Sequence, residues 1–268
     1  MMVISRDENR EMRLMLNFHS CITALSLAVA ILGLEACKLH EPRDPSPAGV
    51  QAATLIWRID LDSPDGPGQM LEAITPVFWE GHQTWRVTHY PLDPSTSTVN
   101  DFDLYDVDAD SLRPVRNVMQ TSKFRLEIHF KNDVATLRQV TEDRISDEQI
   151  PLATSVMPEG PGERVFVASL PLQTGFVREY YILDRWSGQG TSRLKQVQLS
   201  VVGAKQITTA TGSKDVFELE IRASDDSFRI VQYVRRQPPY YPFRVEYIRG
   251  SKRLISEVAL MILGQGGR

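Results

Sequence analysis

The sequence is short of cysteine and therefore of covalent cross-links. Its 268 residues include two cysteines, Cys21 and Cys37, and none follows position 37. The later part of the chain cannot form a disulfide within itself, so its stability must come from the burial of apolar side chains. About 230 residues are enough for one large core or two small ones, and no structural metal is needed.

An excess of positive charge is also lacking. The chain has 30 Lys and Arg residues against 34 Asp and Glu residues, which gives a formal net charge of -4, and no polybasic run is evident. Nucleic-acid phosphates bind to clustered positive charge. We therefore expect no nucleic acid among the partners of this protein.

Motifs that mark catalytic, metal or cofactor sites are missing as well. The sequence has no Gly-x-Ser-x-Gly elbow, no Gly-x-Gly-x-x-Gly fingerprint and no P-loop, so the usual signals of a serine hydrolase and of nucleotide cofactors are absent. His82, His89 and His129 do not have the spacing of a zinc site. The acidic run from Asp101 to Asp110 begins like an EF-hand loop, but Ser111 stands where the turn glycine is needed. We predict no catalytic residue, no metal and no cofactor.

The N-terminal segment has the order of a bacterial export signal. Three early arginines precede an uncharged stretch from Ile22 to Leu34, which Glu35, Ala36 and Cys37 follow. A basic region, an apolar region and a small residue before the cut are typical of secretory signals. The final tetrapeptide resembles the processing site of bacterial lipoproteins at Leu34, Ala36 and Cys37. The resemblance implies cleavage after Ala36 and a diacylglycerol on the Cys37 thiol.

Residues 1–36 are therefore predicted to be a lipoprotein signal peptide. An ordinary cleaved signal and an uncleaved helix are the alternatives, and length disfavours the helix because the uncharged stretch is shorter than the roughly 20 residues that span a bilayer. Residues 37–52 are predicted to be a tether, since Lys38 to Ala48 contains three prolines and no apolar periodicity. This composition is typical of an extended linker.

From position 53 onward the dominant pattern has a period of two residues. Neighbouring side chains of a strand point to opposite faces, so alternation of apolar and charged residues indicates one buried face and favours antiparallel pairing. Turn residues such as Asn132-Asp133 and Gly250-Ser251 separate the alternating runs. These runs are 55–61, 124–130 and 217–221, with weaker versions at 134–140, 177–183, 197–201, 228–234 and 243–247.

Residues 53–268 are therefore predicted to form a single, mostly β domain. The predicted fold is a large antiparallel, strongly curved sheet, either a half-barrel or a partly open barrel, with few short helices. Leu254 to Leu263 is predicted to be a closing strand, and Ser146 to Gln149 could begin a short helical turn. Pro151 to Gly162 is predicted to be a loop inside this domain, because the strands before it need more partner surface than the first half offers.

The second half of the chain resembles an uncharacterised family of bacterial envelope proteins, known only as a domain of unknown function. The fold of that family is similar to the half-barrels of lipoprotein-carrier proteins. The resemblance implies a periplasm-facing, β-rich, non-enzymatic domain with no catalytic residues to carry over. The residues that carry it are Leu170-Pro171-Leu172, Gly175-Phe176, Val201-Val202-Gly203, Gly212, the strand from Val216 to Ile221 and the hairpin from Pro238 to Glu246.

Aromatic residues of the second half are the candidates for a ligand-facing wall. Concave β surfaces lined by aromatics suit apolar or amphipathic ligands, although aromatics also fill ordinary cores. The candidates are Trp186, Tyr233, Tyr240, Tyr241 and Phe243, with Tyr247 nearby.

Three hypotheses for function follow. The first is a lipid-anchored, periplasm-facing lipoprotein of the outer membrane that binds a lipid, another amphipathic envelope component or an envelope protein without catalysis. Lys38 after the cysteine fits the outer membrane under the sorting rule of the lipoproteins that the chain resembles. The second is a purely structural envelope protein with a filled barrel, and the third is an envelope hydrolase. An apolar cavity of some hundreds of cubic ångströms would favour the first.

Overall fold

Fourteen β-strands make up most of the computed structural model. The structure describes residues 46–59, 62, 68–92, 101–152, 156–184 and 194–264. The predicted signal peptide and its processing residues Leu34, Ala36 and Cys37 lie outside them. The strands are β1 (Ala53–Ile59), β2 (Gly68–Trp79), β3 (His82–Pro91), β4 (Phe102–Asp108), β5 (Pro114–Gln120), β6 (Phe124–Lys131), β7 (Val134–Thr141), β8 (Ile145–Pro151), β9 (Val177–Leu183), β10 (Leu194–Thr209), β11 (Gly212–Ala223), β12 (Arg229–Arg235), β13 (Pro242–Arg249) and β14 (Lys252–Leu263).

All fourteen strands belong to one antiparallel sheet built from two meanders. The first meander runs from β1 to β8 and the second from β9 to β14, and pairing of β1 with β14 joins them. The sheet is not closed into a barrel, and β8 and β9 are its edges. After β8 the chain runs along the other edge strand, β9, where Met157 N donates to Tyr181 O at 2.8 Å. The predicted mostly β, antiparallel fold is confirmed.

Local assignments from the sequence agree with the sheet except at two places. Within the described residues the alternating runs lie in strands, the turns at Asn132-Asp133 and Gly250-Ser251 connect hairpins, and Leu254 to Leu263 lies in the closing strand β14. The helical turn expected at Ser146 to Gln149 is wrong, because these residues pair with β7 as part of β8. The prediction also missed a short helix, α1 (Glu163–Ser169), whose larger apolar residues, Val165, Phe166 and Val167, are β-branched or aromatic and have low helix propensity.

Helix α1 fills part of the concave face. Val165, Val167 and Ala168 have no exposed surface, and they share one core cluster with inward-facing residues of both meanders. The ring of Phe166 meets that of Tyr180 edge to face, with 4.9 Å between the centroids. The helix therefore supplies the apolar surface that the concave face of an open sheet would otherwise leave wet. Among the described residues, no helix is long and apolar enough to cross a bilayer.

The end of the predicted tether packs against this core. A 3-10 turn covers Pro47–Gly49, and Ser46 N donates to Ser169 O at 2.9 Å. A Cβ at Gly49 would lie 2.4 Å from Ala168 O, so only glycine allows this approach. Residues 46–52 of the proposed tether are thus part of the folded structure.

A second apolar cluster lies on the convex face under the β10–β11 hairpin. It contains Ile207, Val216, Val231 and Tyr233, with Phe243 packed against it. The tip of the hairpin is held there because Ala210 N donates to Glu257 Oε1 at 2.6 Å. Both faces of the sheet are therefore covered at this corner.

Candidate functional site

A cavity of about 420 Å³ lies between the two meanders, beside α1. This volume is within the range of small-molecule binding sites, which are mostly apolar with a few placed polar groups. We call it the concave cavity. Its apolar walls come from β1 and β2 on one side and from the second meander on the other. The apolar lining residues are Trp57, Ile59, Met70, Ile182, Phe228, Ile230, Val245, Tyr247 and Leu254.

A row of polar side chains crosses β2, β3 and β4 at the first wall. The register pairs Glu72 with His89 and His89 with Asp103, so the three side chains lie on one face. His89 and Asp103 line the cavity, whereas the carboxyl of Glu72 is completely buried. Nε2 of His89 is hydrogen-bonded to Oε2 of Glu72. A buried carboxylate has to be paired in this way, because an isolated charge is costly away from water.

The helix adds a second set of charges. Arg164 Nη1 donates to Glu163 Oε1 at 2.8 Å, and Arg164 Nε lies 3.9 Å from Glu72 Oε2. The guanidinium lies 5.4 Å from the centroid of the Trp57 ring. Nε2 of Gln232, from β12, also donates to Glu163 Oε1. Burial raises the pKa of the Glu163 carboxyl to about 7, even though Arg164 opposes this shift.

An ion pair occupies the opposite side of the cavity. Nη2 of Arg249 donates to both carboxylate oxygens of Asp184 at 3.0 Å. Its guanidinium carbon is 5.7 Å from the ring centroid of Phe228 and 5.9 Å from that of Tyr247. The guanidinium is therefore fixed between a carboxylate and two aromatic rings, and its charge is already compensated.

The cavity suits binding because most of its polar and charged side chains are paired with one another. His89 is bound by Glu72, Arg164 by Glu163, and Arg249 by Asp184. Paired charges are fixed in position and keep the walls rigid. The surface left for a ligand is then mainly apolar, with polar groups placed at the ends of the cavity.

The predicted aromatic wall does not form as one surface. Tyr241 is fully buried in the main core and its hydroxyl donates to Gln51 O, and Tyr240 packs against the same core. Tyr233 and Phe243 lie in the convex cluster instead. The reason is alternation, since Gln232 points to the concave face and its neighbour Tyr233 must point away. Trp186 lies outside the described residues.

Several cavity residues were missed by the sequence reasoning, although a signal for one pair exists. Glu80 and Gly81 form a tight turn between β2 and β3, both with positive φ. A two-residue turn sets the hairpin register, and counting back from it pairs Glu72 with His89. Arg164 and Glu163 carried no comparable signal, because the position of α1 depends on the whole sheet.

The acidic run from Asp101 to Asp110 is divided between the two faces. Asp103 lines the concave cavity, whereas Asp106 accepts two hydrogen bonds from Arg86 at 2.7 and 2.9 Å. Asp108 Oδ1 accepts from Ser111 N at 2.7 Å within the following turn. The ranges described contain no group of three or more His, Cys, Asp or Glu residues that could hold a metal ion.

Comparison with known proteins finds similarity only among solved structures. No protein-family profile and no curated protein matches the sequence. A β-barrel-like protein of a domain of unknown function, DUF1849, from Brucella abortus is 11% identical with a TM-score of 0.43, covering 80% of this chain and 98% of that chain. A candidate lipoprotein from Parabacteroides distasonis is 8% identical with a TM-score of 0.35, covering 82% and 100%.

A third similar structure is a candidate exported protein with a YmcC-like fold from Bacteroides fragilis. It is 9% identical with a TM-score of 0.32, and the match covers 82% of this chain and 99% of that chain.

Proposed function

We propose that this protein is a lipid-anchored lipoprotein of the bacterial envelope that binds an amphipathic ligand, such as a lipid, in the concave cavity without catalysis. The anchor is the diacylglycerol on Cys37, and the outer membrane is the expected location. The observation that carries the binding function is the cavity of about 420 Å³ with apolar walls from both meanders. Burial of a hydrocarbon chain against such walls is favourable by roughly 25 cal/mol per Å² of apolar surface.

The polar groups of the cavity support an amphipathic ligand over a purely apolar one. His89, Asp103 and Arg164 meet on one side, and Arg249 and Asp184 on the other. A hydrocarbon would cover the walls, and a polar head would exchange hydrogen bonds with these side chains. A structural role is the second candidate, because α1 already fills part of the concave face.

Filling the cavity tests the binding function. Ser256 lines the cavity from β14 and is half-buried. We expect Ser256→Phe to weaken binding of dansyl-labelled undecanoic acid by about tenfold or more, since the new ring occupies the space of the ligand. Fluorescence titration of the full chain measures this. The matched control is Val202→Phe, at a position that is 59% exposed, and it should bind like the wild type.

Native mass spectrometry of the detergent-extracted protein tests the anchor and the ligand together. The acyl mass should be found on Cys37, and a lipid should co-purify with the wild type and with Val202→Phe but not with Ser256→Phe. Equal binding of the fluorescent acid by all three proteins would show that the cavity is not the binding site. Absence of both lipid and probe binding would favour the structural role.

A further inference from the structure

We propose that three cations at the β12–β13 connection dock the protein onto the anionic phosphates of a bilayer surface. Lys214, Arg235 and Arg236 line an open groove of about 510 Å³ at the β12–β13 connection. We call these three residues the basic rim. The groove is separate from the concave cavity, and the proposal rests on the lipid anchor proposed above.

Among the described residues, no carboxylate forms a salt bridge with a cation of the basic rim. Lys214 Nζ lies 5.5 Å from the ring centroid of Phe243, and the guanidinium carbon of Arg236 lies 5.5 Å from that of Phe217. Nη1 of Arg235 donates to Pro239 O at 3.5 Å. Aromatic rings position a cation without neutralising it, so the positive charge stays available to an external anion.

Other cations of the same hairpin are arranged differently. Lys205 also lies over an aromatic ring, that of Tyr233, but its Nζ is 2.7 Å from Glu218 Oε2. The described residues that line the groove include three cations and one acid, Asp215. The groove therefore has a local charge of +2, whereas the whole chain has a formal net charge of -4. This local reversal of sign favours an anionic partner.

The basic rim lies next to the segment that leads to the anchor. Arg235 N donates to Tyr241 O at 3.2 Å, and the Tyr241 hydroxyl donates to Gln51 O. Ser46 lies only nine positions after Cys37, and an extended chain spans at most about 3.6 Å per residue. An acylated Cys37 thus keeps Ser46 within about 30 Å of the bilayer. Each basic residue near an anionic surface adds to the attraction, which falls off within a Debye length of about 10 Å.

Hydrogen exchange on membranes tests the docking. The full chain, purified from membranes, is reconstituted into vesicles of phosphatidylcholine alone or of phosphatidylcholine with phosphatidylglycerol. We expect amide exchange in 212–217 and 235–243 to slow by about threefold or more in the anionic vesicles only. Salt at about 0.5 M should remove the difference, since it shortens the Debye length.

Charge-matched variants identify the residues. K214Q/R235Q/R236Q should lose the protection, whereas K123Q/R138Q/R144Q, which removes three exposed cations from β7 and the turns around β6 and β8, should keep it. Unchanged exchange in 197–201 verifies that each variant is folded. Protection that persists in the first variant, or that occurs equally in neutral vesicles, overturns the proposal. Protection that grows with the protein-to-lipid ratio would indicate a second copy as the occupant and also overturns it.

The outcome for the basic rim is separable from that of the proposed function. The mass of Cys37 reports the anchor, and binding of the dansyl acid reports the cavity. If Cys37 carries no acyl group, the anchor fails. Co-sedimentation of the same full chain with the two vesicle types then still measures the contribution of the three cations, and equal sedimentation with both types overturns the docking.

Discussion

Glu163 connects the chemistry of the cavity to the stability of the protein. Its carboxyl accepts hydrogen bonds from Arg164 and Gln232, yet burial raises its pKa from 4.5 to about 7. The folded state therefore binds a proton that the unfolded state has already released between about pH 4.5 and pH 7. The contribution of Glu163 to stability therefore falls as the pH rises through this window.

Replacing Glu163 by glutamine tests this linkage. The wild type should lose about 3 kcal/mol of unfolding free energy between about pH 4.5 and pH 7.5, because a shift of one pKa unit is worth about 1.4 kcal/mol. Glu163→Gln keeps an oxygen acceptor for Gln232 and should lack most of this decrease. Urea unfolding at several pH values measures it. Glu142→Gln, at an exposed position, serves as control and should show the same decrease of unfolding free energy with pH as the wild type. If Glu163→Gln shows that decrease as well, groups other than Glu163 cause it.

At the scale of elements, α1 covers part of the concave face and excludes water from it. The helix is seven residues long and six of them are buried. Isolated helices of this length are unstable in water, so α1 is held by its packing rather than by its propensity. A single large side chain of the helix should then carry much of its attachment to the sheet.

Phe166 is that side chain, and truncating it tests the role of α1. Phe166 is 6% exposed and packs edge to face on Tyr180. We expect Phe166→Ala to lower the unfolding free energy by about 3 to 5 kcal/mol, because it leaves a cavity in the core. Phe78→Ala, at a position that is 74% exposed, should change it by less than about 0.5 kcal/mol. Similar small effects of both substitutions in urea unfolding would mean that α1 does not fill the core.

At the scale of the whole molecule, the two meanders share their core. The main cluster contains Leu55, Ile74 and Val87 of the first meander and Leu199 and Leu219 of the second. Neither meander can bury these side chains alone, because each presents one open concave face. The prediction of one domain over residues 53–268 leads to a specific expectation for unfolding.

Residues 46 to 264 of the full chain should unfold together in a single cooperative transition. Tryptophan fluorescence and far-ultraviolet circular dichroism should give coincident urea curves, and hydrogen exchange should give similar opening free energies for 53–59 and 216–221. Two separated transitions, with the first meander melting apart from the second, would contradict a single domain. Phe166→Ala should shift the whole urea unfolding curve to lower urea concentration and should not split it into two transitions.

Local sequence determined the strands and their turns, because alternation and turn chemistry act between near neighbours in the chain. Examples are the runs at 124–130 and 217–221 and the turn at Asn132-Asp133. These local patterns were enough to predict the mostly β fold. The site depended on contacts between distant parts of the chain. Arg164 meets Trp57 across 107 positions and Glu163 meets Gln232 across 69, because burial of apolar surface placed α1 inside the sheet. Tyr233 and Phe243 were directed to the convex face by the same packing, since each strand offers only one face to the core.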